Sequence, residues 1–335
     1  MLIFFTACGE TEPPPPQVDH LKKELTILRF EQDFFGIDTS RFNEEMKHLE
    51  QQYGEFADIY FRYGIPLRRG DFSPAEQVEI GKAFLGDTLS KEIYARSQAL
   101  FSEGLQSSEP TLEAAIAYFT YYFPDVPTPD TLVTFLSQFQ YAGFVYGDNQ
   151  LALGLDMYLG PDFDYQSVNP SEPIFSNYLT RTYTPEHITS KLLQLLIEEQ
   201  VPQPRQGRLI DYMLYNGKKL YLLDLVLPTT PDYLKLEITP AQNQWLQENE
   251  APAYVYLQSE ELLYETDIRK FRKYIDPSPN SPGMPEGAPG RSANYLGWKI
   301  IEAWVKNHPN ASLQELLAIS DGQRILAESR YKPKY

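Results

Sequence analysis

Histidine is the side chain from which metal and proton-transfer chemistry is first read, and this chain has four, His20, His48, His187 and His308, no two of them close in sequence. Only His187 sits in a stretch with a helical pattern around it. A zinc peptidase site on a helix needs His-Glu-x-x-His, because imidazoles at i and i+4 share one face and the glutamate polarises the metal-bound water. The register here is His187, Ile188, Thr189, Ser190, Lys191. The base position is therefore apolar and the second ligand position carries an ammonium, which repels Zn²⁺. Catalytic zinc takes three protein ligands and keeps an open position. Reaching three would need recruits such as Asp211, Asp224 or Glu302, with Lys191 deprotonated or turned aside. His187 alone thus reads as a partly solvated helix residue. The expectation is no catalytic residue, no metal and no cofactor, with a zinc-dependent metallopeptidase as the alternative. Asp211 and Asp224 each interrupt an apolar run, which suits N-capping or surface placement better than buried acids. No Gly-x-Ser-x-Gly elbow, phosphate-binding Gly-x-x-x-x-Gly-Lys loop or Gly-x-Gly-x-x-Gly fingerprint occurs.

The element that carries His187 organises the chain. Thr184 is placed to cap a helix that Pro185 opens, and Ile188, Leu192, Leu193, Leu195, Leu196 and Ile197 follow at helical spacing. His187, Lys191, Gln194 and Glu198 form its polar stripe. After a stop at Val201 to Pro204, Leu209, Met213, Leu220, Leu223 and Leu227 predict a second helix with a weak point at Asn216-Gly217. A hairpin turning at that dipeptide is the alternative.

Around this pair, Leu25 to Phe30 reads as a short strand, and Phe42, Met46 and Leu49 begin a helix running towards Tyr60. Leu112 to Phe123 is a strand or a buried helix, which periodicity leaves open. Leu132 to Phe139, Phe144 to Tyr146 and Leu151 to Tyr158 are strand candidates for a small sheet. Ser73 with Glu76, Thr239 with Gln242 and Ser312 with Glu315 have capping-box spacing. A helix is expected after Pro252, carrying Leu257, Leu262 and Leu263, and another through Leu296, Ile300, Ile301, Trp304 and Val305. The Pro- and Gly-rich segment Pro277 to Gly290 reads first as disorder, with a lid or binding loop behind it.

A net charge of −17 argues against a nucleic-acid partner and against adsorption to anionic lipid. The basic cluster Arg269, Lys270, Arg272 and Lys273 reads as a solvated helix face. Cys8 is the single cysteine, which excludes an internal disulfide. It follows an apolar run and two small residues, Thr6 and Ala7, and precedes the Pro-rich residues 9 to 19. That is the shape of a lipoprotein signal, with Cys8 as the lipid-attachment residue; the apolar run is short and no Lys or Arg precedes it, so a start upstream of Met1 stays open. The expected organisation is residues 1–7 as the remnant of a signal peptide, 8–19 as anchor and semi-rigid spacer, and 20–335 as one globular domain.

The segments Tyr178 to Thr182, Ile210 to Met213, Asn216 to Tyr221, Pro289 to Arg291, Leu296 to Trp298, Ser312 to Leu317 and Ser329 to Pro333 together resemble the gliding-motility lipoprotein B (GldB) family, in order, over about His20 to Pro333. The resemblance implies a lipid-anchored protein of the cell envelope, on a membrane facing the periplasm, required for gliding and linked to the associated secretion machinery. Its partners would be envelope proteins of those systems. Because the resemblance resumes at Pro289 to Arg291, where a helix begins, Arg291 is singled out as a possible interaction residue that fixes the loop end against an acidic group. A more distant resemblance to zincin-like proteins places their metal helix after Pro185, with His187, Ile188 and Lys191 as its degenerate positions. Together they imply an α+β, mainly helical fold with a zincin-like core and a small sheet packed on the central helix, acting as a structural or interaction protein.

Overall fold

Alternation along two short strands decides how the sheet is buried. The computed structural model describes residues 14–65, 67–68, 72–105 and 108–334, so Cys8 and the expected signal segment lie outside it. The strands are β1 (Thr26–Arg29), β2 (Thr131–Phe135), β3 (Gly143–Tyr146) and β4 (Gln150–Gly154), in spatial order β1-β2-β4-β3. The β1-β2 and β2-β4 pairs are parallel, and β3 closes the edge antiparallel to β4. Leu132, Leu151 and Leu153 face one core, while Val133, Phe135 and Ala152 face the other, as the two-residue period requires. Both faces are covered.

The helices before the sheet are α1 (Phe30–Phe35), α2 (Phe42–Ile59), α3 (Pro74–Gly86), α4 (Thr88–Leu100) and α5 (Glu109–Tyr122). Leu112 to Phe123 is thus helical. Phe30, Phe34, Phe56, Tyr60 and Phe61 pack edge-to-face with one another against the Val133-Phe135 face. After the sheet come α6 (Tyr165–Val168), α7 (Asn177–Thr180), α8 (Ile188–Glu198), α9 (Leu209–Val226), α10 (Asp232–Leu236), α11 (Pro240–Glu248), α12 (Glu250–Ser259), α13 (Ile268–Ile275), α14 (Ser292–Asn307), α15 (Leu313–Ala318) and α16 (Gly322–Ser329). The central helix α8 lays Ile188, Leu192, Leu193, Leu196 and Ile197 on the Leu132-Leu151-Leu153 face, so the sheet does pack on it.

Several expectations need correction. The candidate strands at Leu132 and Leu151 stop at Phe135 and Gly154, because Asp156 pulls both chains into turns. Its Oδ2 accepts from the backbone N–H groups of Ser137 (2.9 Å) and Phe139 (2.6 Å), and Gln138 and Phe139 adopt left-handed φ of 53° and 66°. There is no hairpin at Asn216-Gly217. α9 runs through it, and Gly217 is instead where α9 crosses α14: a Cβ there would lie 2.3 Å from the carbonyl carbon of Gly297, and one on Gly297 would lie 1.9 Å from Met213 O. Pro252 sits in the first turn of α12, and Leu262 and Leu263 belong to a separate 3-10 turn.

The segment from Pro277 to Gly290 is ordered rather than disordered. Ser281 N–H donates to Ala288 O (3.0 Å), Ser281 Oγ meets Ser292 Oγ (2.7 Å), and Tyr256 donates its hydroxyl to Pro282 O (3.1 Å). Met284 and Ala288 are buried among α-helical side chains. The segment is thus held by a bond within itself and by hydroxyls of the helices around it, which local composition does not reveal.

Candidate functional site

Four chain segments converge beside the N-terminal end of α8. The first is α8 itself, which presents Lys191. The second is Glu237, which follows α10 in the left-handed conformation (φ 57°). The third is Arg291, also left-handed (φ 63°), at the start of α14. The fourth is Arg181, directly after α7. Left-handed backbone at a non-glycine residue costs on the order of 1–3 kcal/mol, and it gathers where a site requires it. Here both members of one ion pair carry it.

Glu237 is the centre. Its side chain is only 8% exposed; Lys191 Nζ lies 3.0 Å from Oε1 and Arg291 Nη1 lies 2.7 Å from Oε2. Burial alone would raise the Glu237 pKa, but Lys191 and Arg291 together outweigh it and hold the carboxyl well below the usual range. Thus Arg291 does fix the end of the Pro277–Gly290 segment against an acidic group. The same arrangement defines where Lys191 points: the ammonium in the second metal-ligand register is bound to a carboxylate. Thr184 does not cap the helix with its side chain. Its Oγ1 lies 2.8 Å from His187 Nδ1 instead, because Pro185–His187 forms a tight 3-10 turn before α8 begins. His187 is buried rather than partly solvated as expected, because the turn that precedes α8 packs its ring inward; Nε2 has no hydrogen-bond partner, and its pKa is lowered to about 4, first by burial and then by Lys191, with Glu237 opposing and Arg181 adding. It is held neutral. Ile188 is fully buried in the core facing the sheet.

A cavity of about 160 Å³ opens at this cluster, and its lining includes the charged Arg181, Lys191, Glu237 and Arg291 together with Tyr158, Tyr178 and Leu179. A second cavity of about 230 Å³ lies across Arg291 and Pro277, with Asn216, Lys219 and Lys235 in its wall. Among the described residues, no group of three or more His, Cys, Asp or Glu side chains is placed to hold a metal ion.

The other singled-out residues lie elsewhere. Asp211 is buried in the first turn of α9, accepting from Arg208 Nε (2.8 Å) and from Gly322 N–H (3.1 Å). Asp224 pairs with the buried Lys235, and Glu302 pairs with Lys299 at 2.8 Å. His20 and His48 are exposed, and His308 stacks on Trp304. On α13, Arg269 and Lys270 pair with Asp267 and Glu265 while Phe271, Tyr274 and Ile275 face inward, so the basic cluster is a solvated face. Sequence reasoning missed Glu237, since a glutamate between Leu236 and Ile238 carries no local signal. Arg181 lay in a quoted segment without a role.

The class so defined is a mainly helical α+β protein with a four-stranded sheet and a charged, partly enclosed cavity beside its central helix. Residues 11–333 match the family described as gliding motility protein GldB, and the chain belongs to that family. Membership associates it with gliding motility and, as a lipoprotein family, with the cell envelope. No curated protein and no solved structure matches the chain.

Proposed function

We propose that this protein is a non-catalytic envelope lipoprotein, anchored through Cys8 to a membrane facing the periplasm, that supports gliding and the associated secretion machinery by binding other envelope proteins. Its core is zincin-like and has lost the metal chemistry. The observation that supports this reading is the Lys191–Glu237–Arg291 cluster, in which a fixed ammonium stands where a metal peptidase would place its second ligand. Lys191 and Arg291 neutralise the one nearby carboxylate, leaving His187 as a solitary candidate ligand. Ile188, facing the core, supplies no base. Arg291 is the residue whose loss is expected to disturb partner binding, since it ties the Pro277–Gly290 segment to α10.

Metal analysis of the purified protein tests the reading. The expected result is zinc far below one equivalent and no peptide cleavage, because an ammonium and one imidazole cannot supply three ligands. Stoichiometric zinc in the unmodified protein would overturn the interaction reading and promote the metallopeptidase. A Lys191→His variant, which would place an imidazole beside His187 and Glu237, is the informative companion. Zinc appearing only in that variant means that the scaffold retains the geometry without the ligands.

A further inference from the structure

The charges around the cavity do not balance. Arg181, Lys191 and Arg291 face a single carboxylate, Glu237, whose two oxygens are already held by Lys191 and Arg291. Arg181 is left over: its Nε is fully buried with no hydrogen-bond partner, and among the described residues its side chain has no ion pair. Leaving a buried charged donor unsatisfied costs about 1–3 kcal/mol or more. Burial and, after it, the neighbouring Arg291 push the Arg181 pKa down, and Glu237, already held by Lys191 and Arg291, opposes them without reversing the shift.

We propose that this cavity is a binding site for a carboxylate group, with Arg181 as its anchor. A guanidinium presents two parallel N–H donors along one edge, which matches the planar oxygens of a carboxylate. The space, about 160 Å³, takes a group of a few atoms, and Tyr158, Tyr178 and Leu179, which also line it, suit a short apolar stem. A dianion would be disfavoured more strongly than a monoanion by a protein of net charge −17. The carboxylate can come from a free organic acid or from the chain end of a peptide. The inference deepens the interaction reading by naming what the site takes, and it rests on that reading only for its biological use.

Isothermal titration of the full chain in detergent tests it, using sodium acetate, inorganic phosphate, and one apolar tripeptide prepared with a free and with an amidated C-terminus. Wild type is expected to bind a carboxylate with an affinity on the order of 1 mM or tighter, and acetate more tightly than phosphate. A preference for the free over the amidated tripeptide, beyond acetate itself, assigns the peptide source; equal binding of acetate and tripeptide assigns a free acid. Arg181→Gln should weaken carboxylate binding about tenfold or more while leaving the unliganded melting temperature unchanged or raised, since it removes an unpaired charge. Arg181→Lys, which keeps the charge without the fork, should weaken binding as well and covers the case in which the glutamine variant does not fold. No carboxylate binding by wild type, phosphate bound more tightly than acetate, or unaltered binding in the Arg181 variants would each overturn the proposal. Zinc in the purified protein would end the interaction reading yet leave this result as it stands.

Discussion

His187 and Asp156 are buried titratable groups whose protonation equilibria are displaced in opposite directions. His187 is lowered from 6.5 to about 4, chiefly by burial and then by Lys191. Asp156 is raised from 3.8 to about 6 by burial, against the hydrogen bonds it accepts from Phe139 and Ser137. Between these pH values the unfolded chain protonates His187 while the folded one does not, so that group makes stability fall as pH drops from 6.5 towards 4. Asp156 does the reverse, because the folded state takes up its proton near pH 6 and the unfolded state only near 3.8. Each effect is on the order of 2–3 kcal/mol, so in the wild type they largely offset one another. Removing either partner exposes the other. Asp156→Asn should lose stability more steeply than wild type between pH 7 and about pH 4.5, and His187→Gln less steeply, as read from urea midpoints. Parallel profiles for all three proteins would show that these two groups do not titrate as their surroundings dictate. Glu237 contributes in a different range: with its folded pKa depressed, its stabilisation is present above the ordinary carboxylate range and lost only at strongly acid pH.

At the scale of elements, the crossing of α9 and α14 shows both what sequence conveys and what it withholds. The local signals were readable: capping boxes at Ser73, Thr239 and Ser312 all form, and the apolar stripes of α8 and α14 bury as their spacing requires. Asn216-Gly217 was readable only as a weakness, because the partner that gives Gly217 its purpose, Gly297, lies in a remote helix. Here two backbones touch. Gly217→Ala or Gly297→Ala inserts a methyl within 2.3 Å or 1.9 Å of main-chain atoms that no side-chain rotation can relieve. Either should destabilise by about 1–3 kcal/mol or more, in spite of alanine's better helix propensity. Gly86, at the end of α3, has nothing within 4 Å of its Cβ position, and Gly86→Ala should be neutral or stabilising by up to about 1 kcal/mol. Chemical denaturation of the three variants checks this, and equal stabilities would mean that the helices do not approach so closely. The same limit explains the site. Arg291 and the α8 register carry local patterns, whereas Glu237 acquires meaning only when three distant segments meet, and the order of Pro277 to Gly290 depends on hydroxyls from α12 and α13.

For the whole molecule the question that the proposed reading raises is what would keep it at a membrane. No helix among the described residues is long and apolar enough to cross one, and the basic side chains of α13 that could meet anionic headgroups are partly spent on Asp267 and Glu265. A charge of −17 adds repulsion from an anionic surface, so in the proposed reading attachment falls to lipid on Cys8. Each buried methylene contributes about 0.8 kcal/mol, and a single acyl chain gives only marginal, reversible binding. Holding so acidic a protein therefore calls for at least two chains on one residue. Val18 is buried, and Pro15 and Pro16 border a groove formed with α5 and the end of α9, so in the proposed reading a tether from Cys8 would meet the fold on that side. Mass spectrometry of the protein isolated from cells should find a mature N-terminus at Cys8 with a mass increment of two or more acyl chains. Cys8→Ser should move the protein from the membrane fraction to the soluble fraction and abolish gliding while its folded domain melts unchanged. A mature protein beginning at Met1 with a free thiol would refute the anchor, and membrane retention of the serine variant would require a partner protein, rather than lipid, to hold it there.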